Sequence, residues 1–151
     1  MNSTTKNKLS TNDKVGVLKL VSIFKETPEN ILNDLAPLMQ EEEYKSGESV
    51  FNEGDHGNCM FIIHDGEVRI HKGNTELAVL NENEVFGELS LLDAETRSAS
   101  ATAAADCILY KIDQEPFYDL INSRPEISLG IIRVLARRLR AQNEKSVLLS
   151  R

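Results

Sequence analysis

Cysteine is scarce in this chain: Cys59 and Cys107 are the two among 151 residues, and they form no CxxC pair. A disulfide framework is excluded, and both read as small core residues. Long apolar runs are missing as well. No stretch approaches the roughly 18 residues that crossing a bilayer requires, and Met1 to Ser10 is polar without a signal-peptide core, so a cytoplasmic location without membrane insertion is expected. Positive charge is in deficit, with 17 Lys and Arg against 24 Asp and Glu and a formal charge of −7. Such a field disfavours direct binding of nucleic acid or anionic lipid. The three histidines, His56, His64 and His71, make no His-x-His pair, and no Gly-x-Ser-x-Gly nucleophile elbow occurs. Internal repeats and low-complexity tracts are also lacking.

What is present fits one globular domain, with 40% apolar and 27% charged residues. Charge is divided unevenly along it. Residues 124–151 carry seven Lys and Arg against Glu126 and Glu144, a net of +5, which leaves −12 for residues 1–123. An acidic body therefore carries a basic tail.

Residues 1–11 are Ser, Thr, Asn and Lys-rich and read as a flexible arm, with 12–151 as the domain. Within it, 12–40 read as helices. Val15, Val17, Leu18, Leu20, Val21 and Phe24 fit one helix ending near Thr27-Pro28, and Ile31, Leu32, Leu35, Leu38 and Met39 give a second its buried stripe. From 44 to 112 the pattern becomes short apolar runs separated by glycine turns: 49–51, 59–63, 67–71, 77–80, 98–104 and 107–112. Strands at this spacing, with Asp65-Gly66 as a hairpin signal, predict an antiparallel sandwich or barrel and an α+β class. Helix returns over 113–149, with Asp113 and Ser123 as expected caps and Pro125 in a first turn. Ile127, Ile131, Val134, Leu135 and Leu139 form the expected buried stripe of the last helix, and Arg133, Arg137, Arg138 and Arg140 lie mostly off it.

The chemistry concentrates in Phe86-Gly87-Glu88-Leu89-Ser90-Leu91-Leu92 and, nine residues after Glu88, in Arg97-Ser98-Ala99-Ser100. Gly87 lets backbone approach a ligand, and Glu88 begins one helical turn among strands. The amides of Leu89 and Ser90 at that helix start, together with Arg97, describe an anion pocket suited to phosphate. A guanidinium turned into a barrel needs an anion there, since burying it unpaired costs several kcal/mol. Glu88 accepts hydrogen bonds only and suits a sugar hydroxyl, as an acidic residue does on the ribose of dinucleotide sites.

Residues 86–101 resemble the phosphate-binding cassette of the cyclic nucleotide-binding domain family, whose pattern is Phe-Gly-Glu, a short helix, then Arg-Ser/Thr-Ala. The Glu53-Gly54-Asp55 and Asp65-Gly66-Glu67-Val68 turns are also similar to that family's glycine turns. The resemblance implies an eight-stranded antiparallel β-roll of jelly-roll type, with N-terminal helices, an inserted cassette helix and two C-terminal helices. It implies Phe86, Gly87, Glu88, Leu89, Ser90, Arg97, Ser98, Ala99 and Ser100 as the ligand-binding residues. Glu88 would accept from the ribose 2′-OH, Arg97 would pair with the cyclic phosphate, and the amides of Leu89, Ser90 and Ser98 would assist. Thr96 departs from the Pro that many members place before the Arg. The ligand would be cAMP or cGMP. Frequency in the family favours cAMP, while the Ser98 hydroxyl suits a guanine amino group. No cofactor, metal or catalysis is expected.

The resemblance also makes the last helix a lid that signals by moving, with Leu135, Arg137 or Arg138 as candidates to cover the base. It permits a homodimer through that helix and leaves the effector protein unidentified. The chain ends at Arg151 without an expected helix-turn-helix, channel or kinase. Three other readings stand beside this one. Glu88 and Arg97 could form a surface salt bridge; the fold could be a degenerate scaffold that docks a protein partner without nucleotide; or His56, His64, His71 and Glu67 could surround a metal in a cupin-type barrel.

Overall fold

In the computed structural model, which describes residues 9–149, the Ser10 hydroxyl accepts from the Asp13 amide at 3.1 Å and starts helix α1 (Thr11–Leu18). Residues 1–8 of the expected arm lie outside the described residues. The single helix expected up to Thr27 is broken: α1 stops at Leu18 and a 3-10 turn covers Ser22–Phe24. Val15, Leu18, Val21, Ile23 and Phe24 are all buried, which no single face of a continuous helix allows, and Leu20 is exposed. Helix α2 (Glu29–Leu35) likewise yields to a 3-10 turn at Ala36–Leu38, where Pro37 removes an amide.

Ten strands follow: β1 (Gln40–Tyr44), β2 (Ser49–Phe51), β3 (His56–Gly57), β4 (Cys59–Asp65), β5 (Val68–Lys72), β6 (Thr75–Leu80), β7 (Val85–Phe86), β8 (Glu95–Thr96), β9 (Ser100–Ala103) and β10 (Cys107–Asp113). The short helix α3 (Glu88–Leu92) stands between β7 and β8, and α4 (Gln114–Ser123) and α5 (Glu126–Leu149) close the chain. The strands make two antiparallel four-stranded sheets, ordered β1-β10-β4-β7 and β2-β9-β5-β6, and the ribbon β3-β8. This is the α+β β-roll that was expected. Its two strands beyond eight arise from two-residue pairings that carry no apolar pattern.

Strand β4 shows how the layers are arranged. Met60 and Ile62 join the helical core with Leu18, Phe24, Leu32, Leu35 and Phe117, whereas Phe61 and Ile63 face the interior of the roll with Val68, Phe86, Ala101 and Leu109. Burial on both faces explains a continuous apolar run where a one-sided strand would alternate.

Strand β1 has the opposite character. Its sequence, QEEEY, reads as polar, and the roll begins at Gln40 rather than at 44 because this edge strand forms by pairing with β10. Lys111 on β10 meets Glu42 at 3.1 Å across that pairing.

Both expected helix caps are used otherwise. Asp113 precedes α4 but accepts from Gln40 Nε2 at 2.8 Å, and Ser123 is the last residue of α4, donating to the Leu120 carbonyl. In α5, Ile127, Ile131 and Val134 are buried as expected, whereas Leu139 is 62% exposed because the helix has by then run past the core. Arg137 holds α5 to the first segment through Glu26 at 2.5 Å, and its hydrogen bond and charge lower the Glu26 pKa.

Candidate ligand-binding site

The reversal from β7 into α3 depends on Gly87. Its φ of 73° is left-handed, and a Cβ there would stand 2.7 Å from Nη1 of Arg97 and 3.3 Å from the Cys59 carbonyl oxygen. Arg97, arriving from β8, is therefore laid against bare backbone. Gly57 on β3 supplies the second contact surface, since a Cβ at that position would come within 2.6 Å of Arg97 Nε.

Arg97 is only 8% exposed. Nη1 donates to Ser90 Oγ at 3.0 Å, Nη2 donates to the Cys59 carbonyl at 2.9 Å and lies 3.3 Å from Cys59 Sγ, and Cζ sits 4.2 Å from the centre of the Phe51 ring. Burial raises the Cys59 pKa and Arg97 pulls the other way without reversing it, so the sulfur remains a neutral thiol. Among the described residues, no carboxylate lies within ion-pair distance of Arg97. A permanent cation is thus almost desolvated with neutral partners alone.

Beside it opens a cavity of about 240 Å³, lined by Phe51, Ile70, Phe86, Gly87, Ser90, Thr96, Arg97, Ser98 and Ala99. Phe51, Phe61 and Phe86 form an aromatic bed, with the Phe61 and Phe86 rings stacked 5.1 Å apart. A larger hollow of about 510 Å³ elsewhere is lined by Glu43, Glu48, Asp65 and Asp106 with Lys45, and its carboxylates would repel a phosphate. Of the two hollows, only the one beside Arg97 is suited to an anion.

The sequence profile described as Cyclic nucleotide-binding domain matches residues 41–124. The chain belongs to the cyclic nucleotide-binding domain family. Among its relatives is a Cyclic AMP receptor protein of Thermus thermophilus, 39% identical over 129 residues, 82% of this chain and 59% of the relative. Another is a cGMP-dependent protein kinase of Eimeria tenella, 31% identical over 138 residues, 91% of this chain and 13% of the kinase. The N-terminal domain of a transcriptional regulator from Streptomyces coelicolor superposes with a TM-score of 0.79 at 30% identity, covering 85% of this chain and 93% of that one. The chain spans 59% of the length of the first curated relatives it matches.

In this cyclic nucleotide-binding domain, six of the nine residues singled out from the sequence line the cavity: Phe86, Gly87, Ser90, Arg97, Ser98 and Ala99. The other three are engaged or directed elsewhere. Glu88 Oε1 accepts from Arg138 of α5 at 3.2 Å, Leu89 is 56% exposed, and the Ser100 hydroxyl accepts from the Glu53 amide at 2.8 Å. The Ser90 amide, expected to donate to the phosphate, donates to the Gly87 carbonyl at 3.1 Å, and the Ser90 hydroxyl accepts from Arg97.

A surface ion pair between Glu88 and Arg97 does not exist, because the two side chains have different partners. The histidines do not converge either: His71 bonds the Gly73 carbonyl and Thr102 Oγ1, and the His64 ring lies 5.6 Å from Tyr110. Among the described residues no three His, Cys, Asp or Glu side chains are grouped to hold a metal, so the cupin-type reading has no ligand set to rest on. Among the described residues no helix is long and apolar enough to cross a membrane.

Sequence pattern did not single out Phe51, Gly57 or Cys59. They arrive from β2, β3 and β4, and no local signal links them to a motif some 40 residues on.

Proposed function

We propose that this domain binds a cyclic purine nucleotide, cAMP in preference to cGMP, in the cavity beside Arg97, and acts as a regulatory module that catalyses nothing. The observation that carries the reading is Arg97, 8% exposed and without a carboxylate partner among the described residues, forming one wall of a cavity. A cyclic phosphate supplies the missing charge and two oxygens for the planar fork. The amides of Leu89 and Ser98 add donors, Phe51, Phe86 and Ile70 offer apolar contact, and Glu88 accepts from the ribose 2′-OH. A carboxylate has about four acceptor directions, so Glu88 can hold Arg138 and a hydroxyl together.

That shared carboxylate supports signalling through α5. Of the three lid candidates, Arg138 alone reaches the cassette: it meets Glu88 at 3.2 Å and also bonds Ser22 Oγ. Arg137 turns to Glu26, and Leu135 packs on the helical core. Nucleotide shifts α5 only by its differential affinity for the two helix positions, about 1–3 kcal/mol for a coupling of this kind. The site of action is cytoplasmic, and the receiver is a protein rather than nucleic acid or lipid, given the acidic body.

The same helix supports a homodimer. Leu129, Ile132, Ala136, Leu139 and Asn143 follow spacings of three and four, and Leu129, Ile132 and Leu139 are 49%, 60% and 62% exposed. Leu139→Glu is expected to convert a dimer to a monomer in sedimentation velocity without altering the fold. A wild-type monomer at high concentration overturns the dimer.

Calorimetric titration with cAMP and with cGMP tests the central reading. Saturable one-site binding, tighter for cAMP, is expected. Absence of heat and of competition with both nucleotides overturns it and leaves the protein-docking scaffold.

A further inference from the structure

We infer that Gln114 and Tyr118, both on α4, are positioning residues of the nucleotide site: they hold the carbonyl end of α3 and so set Ser90 against Arg97 and Glu88 against Arg138. The inference rests on the cyclic-nucleotide reading of the cavity and adds two residues that neither touch it nor belong to the cassette.

Helix α3 has five residues, Glu88–Leu92, far too few to persist by its own hydrogen bonds. The chain leaves helical geometry at Asp93, whose φ is −145°, so the carbonyls of Ser90, Leu91 and Leu92 lack the amides that a longer helix would bring to them. No left-handed residue closes the helix in the usual way.

Donors come from α4 instead. The Tyr118 hydroxyl donates to the Leu92 carbonyl at 2.6 Å, and Gln114 Nε2 donates to that hydroxyl at 3.0 Å while lying 3.4 Å from the carbonyls of both Ser90 and Leu91. A chain of side-chain donors thus replaces the missing last turn.

Gln114 also reaches the other half of the site. Its backbone amide donates to the Asn58 carbonyl at 2.9 Å, and the next carbonyl, that of Cys59, accepts from Arg97. One residue therefore ties together the strand that fixes the guanidinium and the helix that carries Ser90 and Glu88. Ser90 Oγ accepts from Arg97 Nη1, so a shift of α3 by a fraction of an ångström is felt at the cation.

Stability and positioning are separable here. Phe117 is wholly buried in the helical core, whereas Tyr118 is 42% exposed, and water can take its place on the Leu92 carbonyl. The neighbouring pair thus divides the work, with Phe117 anchoring α4 and Tyr118 aligning α3. Because α4 is joined to α5 by only Arg124 and Pro125, the clamp also gives the last helix a second connection to the cassette, independent of Arg138.

The test uses the full chain with Tyr118→Phe and, separately, Gln114→Leu. Three quantities are read: cAMP affinity, the thermal midpoint without nucleotide, and hydrogen exchange of the α3 amides without nucleotide. Each variant is expected to lose roughly fivefold in affinity, the equivalent of one net hydrogen bond. Faster α3 exchange is expected with an unchanged midpoint. Unchanged affinity in both variants overturns the inference whatever happens to the midpoint, as does unchanged α3 exchange. If the wild type binds neither nucleotide, the functional reading fails first; the exchange measurement still decides whether Gln114 and Tyr118 hold the helix.

Discussion

Arg97→Ala is expected to weaken cyclic nucleotide binding by about 2–5 kcal/mol, the cost of removing one partner from a buried charged pair. The same substitution should change the stability of the ligand-free protein far less. The Arg97 side chain makes three polar contacts and lies over the Phe51 ring, and losing these is unfavourable. Against that loss stands relief from holding a desolvated cation without a counter-charge. The two effects oppose one another without ligand and act together with it. Arg97→Lys adds a finer comparison: it keeps a positive charge but loses the fork that meets two phosphate oxygens, so an intermediate affinity is expected. Titration calorimetry and thermal melts on the three proteins check both quantities. Equal affinities across the series would remove Arg97 from the site.

Gly87→Ala carries the second large effect, and two neighbouring glycines separate its causes. At Gly87 a side chain meets both a left-handed backbone, φ 73°, and Arg97 Nη1 at 2.7 Å. Gly54 has φ 91° with nothing within 4 Å of the added atom, so Gly54→Ala adds backbone strain of about 1–2 kcal/mol without a clash, at a position whose amide donates to the Arg97 carbonyl at 2.8 Å. Gly57 has no unusual φ, but its added atom would fall 2.6 Å from Arg97 Nε, so Gly57→Ala reports displacement of the guanidinium alone. The expected order is therefore specific. Gly54→Ala destabilises with the smallest change in affinity of the three, Gly57→Ala reduces affinity with a small effect on stability, and Gly87→Ala does both. Arginine is flexible enough to yield, and it is the yielding that removes it from the position where a phosphate would be held. Full nucleotide affinity in Gly57→Ala and Gly87→Ala would show that the guanidinium need not lie against bare backbone.

The expectations that succeeded depended on short-range order. The doubly buried run Met60–Ile63, the Asp65-Gly66 turn and the Phe86–Ser90 stretch each state their conformation within a few residues. Those that failed involved competition between local preference and tertiary contact. Leu139 continues the helical period of α5 yet is exposed, since a helix longer than its core leaves its last turns in water. Asp113 is a good cap in isolation but is taken by Gln40 on the neighbouring strand. Strand β1 has no pattern of its own and exists because β10 offers an open edge. At the site, nothing in the cassette reveals that Cys59 and Phe51 flank the arginine or that Glu88 is shared with Arg138.

By itself the sequence determined an antiparallel sandwich or barrel of α+β class, the glycine at the β7–α3 reversal and the identity of the cation, because turn chemistry, hydrophobic period and nine-residue spacing act along a short length of chain. Tertiary structure alone decided that the cation is desolvated, which backbone it rests on and which helix meets the carboxylate. Those contacts join residues 38 to 50 positions apart, and their geometry arises only when the two sheets and the last helix have packed.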